Sequence, residues 1–212
     1  MKNKFYTLII SLLALPLTAQ NMADYLFVIP NAVLPQIELN RLKDMVDMKK
    51  ANQLAKTTNI LGGYSELTDL TNDYAKLAVS ENLTLEFKQL IIPNKENSDT
   101  LICSIRTTCA PLCDSDVSFF TSDWKAITDN VNFSKPTVVD FLKPEIILDP
   151  DKATIAKKSI DLPLVKISFS NDSTEMRFVA SQQWLEVLPE HIKKDVEDCF
   201  ATEIEVDFSL NK

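Results

Sequence analysis

Short runs of alternating apolar and polar residues dominate this chain. Ala75, Leu77 and Val79 alternate with Lys76 and Ala78, and Ser80-Glu81-Asn82 offers a turn. Leu83, Leu85 and Phe87 then alternate with Thr84, Glu86 and Lys88. After a polar loop, Pro93 to Asp99, the residues Leu101, Cys103 and Ile105 share one face of a third strand, with Ser104 and Arg106 on the other. Val117 and Phe119 open a fourth, and Thr121-Ser122-Asp123 turns before Trp124. A period of two places every second side chain on one face. The pattern predicts an antiparallel meander with one buried and one wet face.

Helical periods stand on either side of this meander. Tyr25 to Ile29 is an apolar run ended by Pro30, and Leu34-Pro35 closes a turn. Leu42, Met45 and Val46 recur at i, i+3, i+4 and predict a helix over 41–55 with Asn40 as its cap. In the second half, Ser134-Lys135-Pro136 predicts a short helix through Leu142, and Asp149-Pro150-Asp151 starts another. Val165-Ile167-Phe169 and Met176-Phe178-Ala180 read as a hairpin around Asn171 to Thr174. Pro189 then opens a helix with Ile192, Val196, Cys199 and Phe200 as its apolar stripe. The last strand sets Ile204, Val206 and Phe208 against Glu203, Glu205 and Asp207. Strands and helices do not alternate regularly, so the expected class is α+β, with antiparallel sheet packed by amphipathic helices. The expected organisation is a leader over 1–19, a helix-plus-meander half over 20–130, and a second half over 131–212. The halves fit either two subdomains or one shared core.

The leader changes where this fold is expected to work. Lys2 and Lys4 precede an apolar run from Phe5 to Leu17, and Leu17-Thr18-Ala19 ends in a small residue. That is the form of a secretory signal peptide, too short in its apolar part to be a good membrane span. No cysteine stands at the cleavage edge, so a lipid anchor there is not expected. The chain is expected to be exported, to the periplasm or beyond, with no transmembrane span.

Composition narrows the chemistry. The net charge is −8, which repels phosphate backbones, and no Lys/Arg stripe overrides it, so no nucleic-acid partner is expected. The chain has two glycines, Gly62 and Gly63, adjacent to each other. A phosphate-cradling loop, a dinucleotide fingerprint or a Gly-x-Ser-x-Gly elbow each needs glycines elsewhere, so none is present. His191 is the only histidine, on the solvent boundary of a helix, and no Cys-x-x-Cys replaces a His-based zinc site. No cofactor and no metal is expected.

Cys109-Ala110-Pro111-Leu112-Cys113 is the best local feature. Cysteines this close pair readily in an oxidising compartment, although four cysteines allow three complete pairings. Cys103 and Cys199 fall on apolar faces and read as small buried residues. Asp114, Asp116 and Asp123 crowd the neighbouring segment without an EF-hand's glycine or terminal Glu, and read as a solvated acidic loop. Phe119, Phe120, Trp124, Trp184 and Tyr74 read as core, with lining of a sugar or peptide groove as the alternative.

Several stretches together carry a resemblance. They are Pro30 with Leu34-Pro35 and Asn40-Arg41, Asn59-Ile60-Leu61-Gly62-Gly63, and Ser65 through Tyr74. Ile102-Cys103, Thr108-Cys109-x-Pro111-x-Cys113-Asp114-Ser115, Asp123-Trp124 and Asp140-Phe141-Leu142 complete the set. The chain resembles an uncharacterised secreted family of Bacteroidales-type bacteria, the domain of unknown function numbered 3256. The family pattern has glycine after the first loop cysteine, where this chain has Ala110, and lacks Cys199. The resemblance implies a Gram-negative envelope or secreted location and no chemistry.

With no nucleotide loop, no metal cluster and one histidine, the leading expectation is a non-enzymatic binding module for an envelope protein or extended ligand. The alternative is an envelope enzyme using carboxylates on glycans, or the Cys109/Cys113 pair on thiols and disulfides.

Overall fold

The computed structural model describes residues 20–93, 98–128, 131–170, 177–207 and 209–210. The leader, the middle of the loop after Pro93, the hairpin turn over 171–174, Met176 and Phe208 lie outside the described residues.

The chain enters through α1 (Met22–Leu26). Asn21 accepts the N–H of Asp24 and the Asp24 carboxylate accepts the N–H of Asn21, a reciprocal cap that explains so short a helix. The second helix, α2 (Leu39–Lys50), differs from the expected 41–55. Asn40 lies inside its first turn rather than capping it, and Glu38 at the cap instead pairs with Arg41 at 3.0 Å. The helix stops early because Asn52 takes a left-handed φ of 56°. Leu42, Met45 and Val46 form its buried face, as their spacing requires.

Seven antiparallel strands follow in chain order as one sheet: β1 (Lys56–Thr58), β2 (Tyr64–Leu70), β3 (Tyr74–Ser80), β4 (Leu83–Pro93), β5 (Ser98–Cys109), β6 (Cys113–Thr121) and β7 (Ala126–Ile127). The alternation marked β3 to β6. It missed β2, where a bulge between Leu67 and Asp69 breaks the period. The turn before β7 places Trp124 at a φ of 62°, so that its buried indole packs on Phe87 and Phe120 and donates to the Tyr25 carbonyl at 3.0 Å.

The rest of the chain runs β8 (Val131–Asn132), a 3-10 turn (Val138–Phe141), α3 (Pro144–Ile147), α4 (Pro150–Lys158), β9 (Val165–Phe169), β10 (Arg177–Gln182), α5 (Glu190–Val196), β11 (Glu203–Asp207) and β12 (Ser209–Leu210). Strands β9, β10 and β11 form a second antiparallel sheet, and β12 pairs with β8. The fold is α+β with antiparallel sheets.

One expectation fails here. The meander does not present one buried and one wet face throughout. Leu85, Phe87 and Ile102 bury one face against α1 and α2. Leu90, Leu101, Cys103, Ile105 and Phe119 bury the other against Phe141, Val165, Ile167, Phe178 and Trp184. The central strands are therefore sandwiched, while β3 and the start of β4 keep polar residues on the second face. That difference along one sheet creates the feature described next.

Candidate functional site

The second sheet meets the large one edge-on. The Asp114 carboxylate accepts the N–H of Val165 at 3.0 Å, and Ser115 Oγ accepts the N–H of Ile167 at 2.9 Å. Ser115 also shares a hydrogen bond with Thr107 at 2.8 Å, and Lys135 Nζ sits 2.7 Å from Asp114. Side chains of β6 thus satisfy the outer edge of β9, which would otherwise present unpaired backbone. Asp114 is a structural anchor and not part of a solvated acidic loop; Asp116 and Asp123 are exposed. The Lys125 ammonium beside Asp123 holds that carboxyl below its ordinary range.

Past these anchors the sheets diverge, and a crease of about 590 Å³ opens between them. Tyr74 and Lys76 from β3 and Glu86 and Lys88 from β4 make its floor, with Asp69 from β2 at the rim. Ser168, Phe169, Ser170, Val179 and Glu203 make the opposing wall. Register explains the floor. Lys76 stands opposite Asp69 on one side and Glu86 on the other, and Tyr74 stands opposite Lys88. These are the polar positions of the alternating strands.

Glu86 is buried at 8% exposure, so its carboxylate needs partners. Tyr74 Oη donates to it at 2.8 Å and Lys76 Nζ lies 3.6 Å away. Burial, and then the Glu86 carboxylate, push the Tyr74 phenol well above its ordinary range, so it stays a donor. Lys88 makes no ion pair with a described residue; its ammonium lies over the Phe169 ring, 5.7 Å from the ring centre. The Tyr74 ring meets Phe169 edge-on at 6.1 Å, linking floor to wall. Of the five aromatics weighed from sequence, Tyr74 lines the crease. Phe119, Trp124 and Trp184 are buried in the core, and Phe120 packs against it. Lys76, Glu86 and Lys88 were not legible as site residues, because alternation marks them only as polar.

A second hollow of about 540 Å³ lies on β1 to β3, lined by Lys56, Asn59, Leu61, Gly63, Tyr64 and Glu66 among others. Its loop is organised by buried Asn59. Asn59 Oδ1 accepts the N–H groups of Leu61 and Gly63, and Nδ2 donates to Ser65 Oγ and the Val79 carbonyl. Gly62 turns this loop at a φ of +81°, which a side chain rarely adopts.

Cys109 and Cys113 face each other across the β5–β6 turn as a disulfide, and contribute to neither hollow. Cys103 and Cys199 are free and buried. Desolvation pushes the Cys103 thiol far above its ordinary range. His191 is exposed on α5 and lines neither hollow. No helix among the described residues is long and apolar enough to cross a membrane.

No curated protein matches the chain. Among solved structures, it is similar to a domain of an uncharacterised protein from Porphyromonas gingivalis W83, with a TM-score of 0.71 and 20% identity over 89% of this chain and 93% of that one. That likeness establishes a shared fold. The sequence profile of a protein of unknown function (DUF3256) matches residues 14–206. With nearly its whole length matched, the chain belongs to the DUF3256 family.

Proposed function

We propose that this protein is an exported, non-enzymatic binding module of the bacterial envelope, with the crease between its sheets as the ligand seat. One observation carries the reading: Tyr74, Lys76, Glu86 and Lys88 converge from one sheet on Ser168 and Phe169 of another, around a space of small-ligand size. The apolar groups of both sheets go into the core, whereas these polar groups border open space. Export is supported by the form of the leader and by the Cys109–Cys113 pairing. Held by Tyr74 and Lys76, Glu86 serves to orient a ligand's donors rather than to move protons.

The test is to equilibrate the purified protein with the low-molecular-mass fraction of a bacterial envelope extract. Co-eluting compounds are then identified by mass spectrometry. The expected result is a compound retained unchanged by the protein and lost by a Lys76→Met/Lys88→Met variant that still folds. A compound released with altered mass would make the protein an enzyme. Equal retention by the variant would move the seat away from the crease.

A further inference from the structure

We propose that the crease takes a short zwitterionic peptide with free termini, its carboxylate on Lys88 and its ammonium at the Asp69–Glu203 rim; this rests on the crease being the ligand seat. The floor sorts its charges into two rows. In one row Lys76 stands between Asp69 and Glu86, and the Glu86 carboxylate, 3.6 Å away, already answers its cation. In the next row Lys88 stands opposite Tyr74, a neutral donor, and makes no ion pair with a described residue. Lys88 is half-buried, which strengthens its attraction for an incoming anion. The rim has the opposite character. Asp69 and Glu203 are exposed carboxylates, approaching from β2 and β11. A ligand carrying only negative charge would meet them as like charges, and one carrying only positive charge would leave Lys88 unanswered. A ligand with one group of each sign answers both. Lys88 and Asp69 stand two residues apart along the strands and two strands apart across them, about 12 Å at the backbone. About two or three extended residues, with the reach of the two side chains, cover that distance, which suits a dipeptide or tripeptide better than a single amino acid.

The experiment uses isotope-labelled protein and follows backbone amide signals in solution. The probe is an equimolar pool of dipeptides built from Ala, Ser, Glu and Lys with free termini. Parallel arms use the same pool N-acetylated, the same pool C-amidated, glucuronate, and maltose. The expected result is movement of the Tyr74, Lys76, Lys88 and Phe169 amides with the free pool, and affinity at least about tenfold weaker with either blocked pool. Lys88→Gln should remove the preference for a free carboxylate. Asp69→Asn with Glu203→Gln, both at exposed positions, should remove the preference for a free amine without disturbing the fold. Equal binding of blocked and free pools, or unchanged preferences in the variants, overturns the proposal. Movement of the same amides by glucuronate or maltose alone overturns the peptide while leaving the crease as a seat. No movement in any arm overturns both.

Discussion

Asp114 holds Val165 by its backbone: a carboxylate oxygen on β6 accepts that N–H at 3.0 Å across 51 residues of chain. The same carboxylate binds Lys135 at 2.7 Å, so one side chain ties the segment after β8 and the edge of the second sheet to the first. Val165 is fully buried, so its N–H loses a partner when the Asp114 acceptor is removed. Asp114→Ala should cost about 1–3 kcal/mol of unfolding free energy. Asp114→Asn, which keeps an acceptor oxygen, should cost less. Urea unfolding of both variants checks the order; equal losses would mean that the Lys135 charge matters and the hydrogen bond does not.

Asn59 makes four hydrogen bonds from a buried position and sets the loop that follows it. Asn59→Ala should lower stability by about 2 kcal/mol. It should also speed hydrogen exchange at the Leu61 and Gly63 amides more than at amides of β5. Uniform acceleration across the sheet would show that the loop is not locally organised by Asn59.

The adjacent glycines should respond differently. Gly62 has a φ of +81°, so Gly62→Ala should cost about 1 kcal/mol although open space surrounds it. At Gly63 an added methyl would lie 3.8 Å from the Asn59 side chain, an ordinary contact. Gly63→Ala should fall within about 0.5 kcal/mol of the parent. Thermal unfolding of the two variants side by side decides it, and a reversed order would refute the conformational argument.

Tyr74 should hold its proton as long as the fold lasts. Burial and the Glu86 carboxylate place its folded value above the unfolded value near 10. A raised folded value means that the contribution to stability is complete below about pH 10 and is lost as pH rises toward the folded value. Wild type should therefore lose stability faster than Tyr74→Phe above about pH 10. The difference in phenolate absorbance between them should stay flat until unfolding. A difference titrating near 10 would show that the Tyr74–Glu86 contact does not persist in solution.

Thiol reactivity should follow burial. With Cys109 and Cys113 bonded and Cys103 and Cys199 buried, the folded oxidised protein should show no reactive thiol. Denaturant without reductant should expose two. Four reactive thiols under those conditions would mean that Cys109 and Cys113 are not joined.

Much of the sheet was legible because its strands alternate. Leu77 against Lys76, or Phe87 against Lys88, needs no partner to be recognised, since the period of two is local geometry. The missed strand β2 carries a bulge, and the over-long α2 reading ran past Asn52, whose left-handed turn leaves no hydrophobic mark. The site was less visible still. Lys76, Glu86 and Lys88 carry the pattern of any wet strand face, and Phe169 that of a buried one.

By itself, then, the sequence determined the class of fold, the strands with an unbroken period, and the absence of glycine-built phosphate and nucleophile loops, because each depends on residues near one another in the chain. Tertiary structure alone decided that β5 is buried on both faces, that Asp114 anchors a strand 51 residues away, and that Tyr74 and Lys88 share a crease with Phe169. Those facts depend on how two sheets meet, and side chains distant along the chain acquire a common environment only when packing brings them together.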